Sequence, residues 1–81
     1  MAVEVKTRLR QLREELAHPK VSQETMARKV GLSLQWYRQL EGGEQNTSYS
    51  TATSILTALN TERQTRNLGT LNLEQLELHI V

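Results

Sequence analysis

The chain has 81 residues, of which 37% are hydrophobic and only 4% aromatic, and its formal net charge is +1. This length allows one small domain, whose core must be built mainly from aliphatic side chains. The sequence contains no cysteine, which excludes a disulfide framework, a thiolate zinc site and a cysteine nucleophile.

The charges are divided unevenly along the chain. Residues 1–40 carry eight Lys or Arg and four Glu, a net charge of +4, whereas residues 41–81 carry two Arg and five Glu, a net charge of −3. A basic half is consistent with a polyanionic partner on one side of the molecule, although ordinary solvated charge gives the same split. No apolar stretch near the N-terminus has the length of a signal peptide or membrane span, so we expect a cytoplasmic protein without membrane contact.

The first predicted element is an amphipathic helix. We expect residues 1–5 to form a short arm and a helix to run from about Lys6 to Ala17. Apolar residues recur there at helical spacing, namely Val5, Leu9, Leu12 and Leu16. Pro19 is expected to stop this helix, since the residue before a proline avoids the helical region.

Residues 21–43 predict two short helices joined by a tight turn. Ser22 is a good N-cap for the first of them, because its hydroxyl can accept a free backbone N–H. The inward face of this helix is marked by Met26, Ala27 and Val30. Gly31 follows at the position where a left-handed residue is needed to end the helix.

The second helix of this pair has two different faces. Ser33 caps it, and we predict that it runs from Leu34 to Glu41 and is stopped by Gly42-Gly43. Its inward pair is Tyr37 and Leu40, three residues apart. The opposite face carries Gln35, Arg38 and Gln39.

One more helix is predicted after a polar loop. Ser48 caps a helix expected from about Tyr49 to Leu59, with Asn60 as its left-handed terminator. The residues predicted to face inward are Tyr49, Ala52, Ile55, Leu56 and Leu59. Residues 61–70 contain almost no apolar side chains and predict a surface connection.

The last stretch, residues 71–81, turns apolar again. We expect Asn72 to cap a short helical turn over residues 73–77, with residues 78–81 extended. The alternation of apolar and polar residues also permits two strand pieces with a break, and periodicity alone does not decide between them.

Helix, glycine turn and helix, with amides on the outer face of the second helix, is the pattern of a DNA-binding helix-turn-helix. Over about residues 8–60 the chain resembles the lambda-repressor/Cro-like (XRE-type) family. The residues that carry the resemblance are Ser22-Gln23-Glu24, Ala27, Gly31, Ser33, Leu40-Glu41 and Gly43, with Asn46, Ser48 and Ile55 further on.

The resemblance implies an all-α fold, a compact bundle of four to five short helices with the helix-turn-helix at helices 2 and 3. It also implies a sequence-specific DNA-binding transcriptional regulator that reads the major groove with helix 3, and repression is the usual mode in this family. Residues 1–60 would form the DNA-binding domain. Residues 61–81 would be a connection and an apolar tail that packs on the domain or forms a dimer contact.

The resemblance places Gln35 and Gln39 on base edges. A glutamine amide presents a donor and an acceptor side by side, which matches N7 and N6 of adenine. Ordinary surface glutamines without contacts are the alternative. Gln23, at the start of helix 2, is implied to brace a backbone phosphate, where free N–H groups and the positive end of the helix dipole meet the anion. A simple preference of Gln for helix starts is the alternative there.

Other residues around helix 3 complete the expected DNA-binding set. Ser33 begins the helix, and Leu34 is expected to contact a thymine methyl. Trp36 lies either against sugar and phosphate or over the edge of the core. Arg38 is a phosphate or base contact, and Asn46 offers its amide to a phosphate. Weaker phosphate candidates, each more often plain solvated surface, are Lys6, Arg10, Arg28 and Lys29.

Two charged residues are expected to have a structural task. In the family that the chain resembles, an Arg of the first helix pairs with the Glu that closes helix 3. The corresponding residues are Arg13 and Glu41, and the pair would join helix 1 to helix 3.

No residues suggest catalysis, a metal site or a cofactor. His18 and His79 lie in separate segments without thiols nearby, and no Ser or Thr stands in a nucleophile context such as Gly-x-Ser-x-Gly. We therefore expect no enzyme.

The Leu-rich tail has two possible tasks. It caps the core of the monomer, or it forms the two-fold contact by which such domains reach two half-sites. We favour the second alternative, a homodimer on double-stranded DNA. The alternative function is an antitoxin-like interaction module that binds a partner protein through this tail.

Overall fold

The computed structural model describes residues 6–81, and these form four α-helices and a short 3-10 helix. The elements are α1 Arg8–Glu14, α2 Gln23–Val30, α3 Leu34–Glu41, α4 Tyr49–Thr65 and a C-terminal 3-10 helix Leu73–Leu76. The all-α prediction is therefore confirmed. The expected arm, residues 1–5, lies outside the described residues, as does Val5 of the predicted apolar stripe. No helix among the described residues is long and apolar enough to cross a membrane.

The core is aliphatic, as the composition requires. Leu9, Leu12 and Leu16 are at most 1% exposed, and Tyr37 is the one aromatic side chain of the sequence that is buried. The other buried members of this cluster are Val21, Met26, Ala27, Leu40, Ile55, Leu59 and Leu76. All four helices and the 3-10 helix therefore contribute to one core.

Helix α1 is shorter than predicted. It begins after Thr7, whose side chain caps it by accepting from the backbone N–H of Arg10, and it ends at Glu14 rather than near Ala17. Pro19 is therefore not what stops it. Leu16 still reaches the core, because the chain tightens after Glu14 and the Leu16 N–H donates to the Arg13 carbonyl at 3.0 Å.

The turn between α2 and α3 follows the sequence prediction. The hydroxyls of Ser22 and Ser33 accept from the backbone N–H groups three residues on, so both helices are capped as expected. Gly31 has φ +76° and ends α2 in a Schellman motif, with the Leu32 N–H donating to the Ala27 carbonyl at 2.9 Å. Helix α3 begins and ends at the predicted residues.

Helix α4 is longer than predicted. Ser48 caps it as expected, but it continues to Thr65, and Asn60 lies within it rather than ending it. The Asn60 amide instead holds the chain further on, because it donates to the Leu71 carbonyl at 3.1 Å and accepts from the Leu71 N–H at 2.7 Å. Tyr49 is 64% exposed and therefore not inward as predicted, whereas Thr47, before the Ser48 cap, is buried with 4% exposure.

The added turns of α4 are stabilised by Arg66. Its guanidinium donates to the Ala17 and Pro19 carbonyls and to the Glu62 carboxylate. The same carboxylate forms a salt bridge with Lys29 of α2 at 2.7 Å. These contacts join the end of α4 to the connection between α1 and α2. They also give the Ala17 and Pro19 carbonyls of that connection a donor outside any helix.

The C-terminal segment closes the core from one side. Asn72 caps the 3-10 helix with a capping box to Gln75, which confirms the predicted cap. Leu76 is 1% exposed, and Leu71, Leu73 and Leu78 pack against the core. The chain then runs extended, and Ile80 forms an isolated parallel bridge with Thr47.

The left-handed turn at Gly31 generates a stability prediction. A Cβ at Gly31 would meet no atom within 4 Å, so Gly31→Ala should cost only the left-handed backbone penalty, about 1–2 kcal/mol of unfolding free energy. Gly69→Ala is the matched control, because its surroundings are equally open and its φ is not left-handed. The control should be neutral or stabilising by up to about 1 kcal/mol. Urea unfolding measures both; equal effects would contradict this account of the turn.

Glu62 generates a prediction about pH. Hydrogen bonds from Lys29 and then Arg66 lower the pKa of Glu62 below its ordinary value of 4.5. The folded state thus binds fewer protons than the unfolded chain. The stabilisation that ionised Glu62 provides is therefore complete above its pKa in the unfolded state, and it is lost as the pH falls through its pKa in the folded state. Glu62→Gln should therefore flatten the decline in stability between about pH 6 and about pH 3.

Urea unfolding across this pH range measures the effect. Glu24→Gln is the control, because the Glu24 side chain is 69% exposed and its pair with Arg28, at 3.6 Å, adds little stability. A Glu62→Gln protein that declined as steeply as the wild type would contradict the prediction.

Candidate nucleic-acid interface

Helix α3 presents one fixed face and one open face. Tyr37, Leu40 and Glu41 are at most 2% exposed and fix the helix against the core. The other residues of the helix are less enclosed, since Gln35, Trp36 and Arg38 are exposed and Leu34 and Gln39 are half-buried. The predicted reading residues therefore lie together on an outward surface, which we call the α3 face.

The two glutamines of the α3 face differ in their surroundings. Gln35 is exposed, and no hydrogen bond to its side chain is formed by any described residue. Gln39 accepts through Oε1 from the side-chain amide of Gln45 at 3.2 Å. Sequence reasoning did not select Gln45. A signal existed, because a glycine that reverses the chain at the end of α3 brings the following residues back over its last turn.

The two apolar residues of the α3 face are not part of the core. Neither Leu34 nor Trp36 belongs to the core cluster or to the half-buried hydrophobic residues packed on it, and Trp36 is 39% exposed. The alternative in which Trp36 covers the edge of the core therefore has no support, and its contact with sugar and phosphate stays a prediction. Both side chains lie in the first turn of α3, behind the Ser33 cap.

Gln23 lies at the start of α2, beside the end of α3. Its Nε2 donates to Glu41 Oε1 at 3.1 Å, which ties the first residue of α2 to the last residue of α3. A side-chain amide nitrogen carries two hydrogens, so one remains for another acceptor. Gln23 is half-buried, and Ser22 beside it is exposed.

Arg13 and Glu41 form the central ion pair of the domain. Arg13 Nε donates to Glu41 Oε2 at 2.6 Å and Nη2 to Oε1 at 3.1 Å, a bidentate arrangement between α1 and α3. The Glu41 side chain is only 1% exposed and that of Arg13 is 13% exposed. Arg13 Nη1 also donates to the Val21 carbonyl at 3.0 Å, and Thr7 donates to the Glu41 carbonyl at 2.5 Å.

The Tyr37 hydroxyl is buried beside this pair and has no hydrogen-bond partner among the described residues. Burial, and then the negative charge of Glu41, raise the pKa of Tyr37 far above its usual range. The phenol is therefore neutral at physiological pH.

The loop from α3 to α4 borders the α3 face. Asn46 is exposed there, and Ser48 caps α4 by accepting from the Thr51 N–H. Thr47 between them is buried, because its N–H donates to the His79 carbonyl and its own carbonyl accepts from Val81. The structure thus presents Asn46 beside the exposed start of α4.

Most cations of the basic half are engaged by carboxylates. Lys6 pairs with Glu14 at 2.9 Å and Lys29 with Glu62 at 2.7 Å. Arg10 and Arg28 lie 3.6 Å from Glu14 and Glu24. Arg38 forms no salt bridge with any described residue, and it is the one cation in α3. The charge asymmetry that the sequence counts indicate is therefore partly offset by these ion pairs.

The described residues contain no group of three or more His, Cys, Asp or Glu that could hold a metal ion. Of the ion pairs described above, Arg13–Glu41 and Lys29–Glu62 join different helices.

A family model described as a helix-turn-helix domain matches residues 7–68. The match covers more than half of the sequence, so the chain belongs to the helix-turn-helix domain family. Membership supports a DNA-binding regulator and is consistent with the XRE-type resemblance, and helix-turn-helix domains are typically not enzymes. The chain matches no curated protein and no solved structure.

The geometry of the Arg13–Glu41 pair generates a stability prediction. Arg13→Ala leaves a carboxylate that is 1% exposed with only the Gln23 amide as a side-chain partner, so we expect a loss of about 3–5 kcal/mol in unfolding free energy. Arg38→Ala removes the same charge from an exposed position and should change stability by no more than about 0.5 kcal/mol. Urea unfolding of both proteins measures this, and similar losses would show that the pair does not hold the helices.

Proposed function

We propose that this helix-turn-helix protein is a sequence-specific regulator of transcription that lays α3 in the major groove of double-stranded DNA. The observation that carries the proposal is the division of α3 into a fixed face and an open one. Tyr37, Leu40 and Glu41 hold the helix rigidly, while Gln35, Arg38 and Gln39 project from its other side. Rigid placement is what base reading requires, since hydrogen bonds to base edges depend on direction.

Base edges would be read by the side chains of the α3 face. Gln35 and Gln39 offer amides, and Arg38 offers a guanidinium that suits guanine or a phosphate. Leu34 supplies an apolar contact for a thymine methyl, and Trp36 supplies an indole N–H with an apolar ring. These contacts would specify sequence rather than add general affinity.

Backbone phosphates would be held at helix starts on either side of α3. Gln23 can keep its bond to Glu41 and still direct its second amide hydrogen to a phosphate oxygen. The positive end of the α2 dipole adds to this contact. Ser33 at the start of α3 and Asn46 in the following loop are further donors, so the phosphates would fix the position of α3 in the groove.

A second copy of the chain would complete the regulator. The tail leucines cover the core of their own monomer, but Tyr49, Ile80 and Val81 remain 64%, 40% and 88% exposed. We call these three residues the terminal patch; the Thr47–Ile80 bridge holds the end of the chain beside a residue two positions before Tyr49. A two-fold contact through this patch would let two copies bind two half-sites, and occupancy of a promoter by the dimer would repress transcription at the nucleoid.

The terminal patch is also the observation that favours the second candidate, a partner protein bound in the manner of an antitoxin. An exposed apolar surface fits either a second copy or another chain. The mass of the protein and of its DNA complex separates them, because the dimer model requires two copies of this chain per palindromic site without any other protein.

Trp36 reports directly on the proposal, since it is the single tryptophan and lies on the α3 face. Its fluorescence should change on titration with the duplex upstream of the protein's own gene, at lower concentration than with scrambled duplex. Because most cations of the described residues lie in salt bridges, the slope of log K against log salt should be shallow, at about −0.9 for each phosphate that a cation neutralises. Gln35→Ala should weaken binding without lowering the melting temperature.

Trp36→Phe removes the fluorescent side chain, so the fluorescence change should be lost. An electrophoretic assay then measures the binding of this variant to the same duplexes. Equal and weak responses to both duplexes would contradict sequence-specific binding. Sedimentation of the complex gives the number of chains per duplex, and a single chain on a palindromic site would contradict the dimer.

A further inference from the structure

Gln45 lies outside α3 and yet touches one of its reading side chains. Gln45 Nε2 donates to Gln39 Oε1 at 3.2 Å, and both residues are half-buried. A hydrogen bond that is partly shielded from water holds its groups more firmly than an exposed one. The bond therefore restricts how the Gln39 amide can face a ligand.

The backbone also fixes this contact. Helix α3 ends in a second Schellman motif, in which Gly43 has φ +76° and its N–H donates to the Leu40 carbonyl at 3.1 Å. The Glu44 N–H donates to the Gln39 carbonyl at 3.0 Å. The loop is thereby folded back over the last turn of α3, and Gln45 is delivered to Gln39 by the chain itself.

The orientation of the Gln39 amide has a chemical consequence. Its Oε1 is turned toward Gln45, while neither hydrogen of its Nε2 is used by a described residue. An amide held in this way keeps both Nε2 hydrogens for a base but only one of its two Oε1 lone pairs, so it presents donors in preference to an acceptor. Adenine is read by an amide that presents Oε1 and Nε2 together, whereas guanine presents two neighbouring acceptors, O6 and N7, and thymine presents one.

We propose that Gln45 is a positioning residue that sets Gln39 to read guanine in preference to adenine. The inference rests on the proposed function, since it requires α3 to lie in the major groove. It replaces the sequence-based expectation that the Gln39 amide matches adenine. Gln45 acts through Gln39 and determines specificity at one position of the site.

Gln45→Glu tests the inference most sharply. A carboxylate only accepts, so Gln39 must turn its Nε2 toward Glu at position 45 and present Oε1 to the base. The preferred base should then change from guanine to one that presents a donor, adenine or cytosine, with about a tenfold change in relative affinity. Gln45→Met, which is similar in size but forms no such bond, should reduce the preference to within about threefold.

The measurement is selection of bound sequences from a randomised duplex pool, followed by binding to single-base variants of the selected site. Glu44→Gln is the matched control, because it changes the charge of the neighbouring residue without touching the Gln39–Gln45 bond. It should raise affinity for all sequences alike. Gln39→Met identifies the position that Gln39 reads, and the Gln45 variants must change preference at that same position.

The outcomes separate the two proposals. A wild type that selects a defined site, with Gln45→Glu and Gln45→Met preferring the same bases, would overturn the role of Gln45 and leave the proposed function intact. A wild type that selects no sequence would overturn both. In the free protein, the side-chain amide signals of Gln45 in NMR spectra should shift on Gln39→Met; signals that stay unchanged would overturn the role of Gln45 without reference to DNA.

Discussion

The rest of the structure depends on the carboxylate of Glu41. This group is the last side chain of α3, and it receives Arg13 from α1 and Gln23 from α2. A carboxylate removed from water is costly unless its partners are in place, so three helices must reach their correct positions together. The outer face of α3 is therefore positioned by one buried group on its inner face.

The sequence predicted those parts of the fold that local chemistry determines. Ser22, Ser33 and Ser48 each cap a helix through a bond to the backbone three residues on, and Gly31 has the left-handed conformation that its position requires. The bounds of α3 follow from the same kind of signal. Such interactions involve neighbours in the chain and are therefore visible in a sequence window.

The parts that were predicted wrongly depend on distant partners. Helix α4 passes Asn60 because Arg66 finds the Ala17 and Pro19 carbonyls, 49 and 47 residues away. Asparagine is a residue type that suits the end of a helix, but the side chain of Asn60 is hydrogen-bonded to the Leu71 backbone instead. The contact of Gln45 with Gln39 was not predicted for the same reason, since it forms only where the chain folds back at Gly43. The spacing of apolar residues along the sequence does not indicate such contacts.

The ion pairs that engage Lys6, Arg28 and Lys29 have a consequence for how a regulator of this kind would search a chromosome. Unpaired cations hold a protein on arbitrary DNA and allow it to slide, and they also accelerate its first encounter. A domain whose own carboxylates engage most of its cations spends less time on irrelevant sequence. If the proposed function holds, such a protein would slide less on arbitrary DNA and would depend more on diffusion through solution to reach its site.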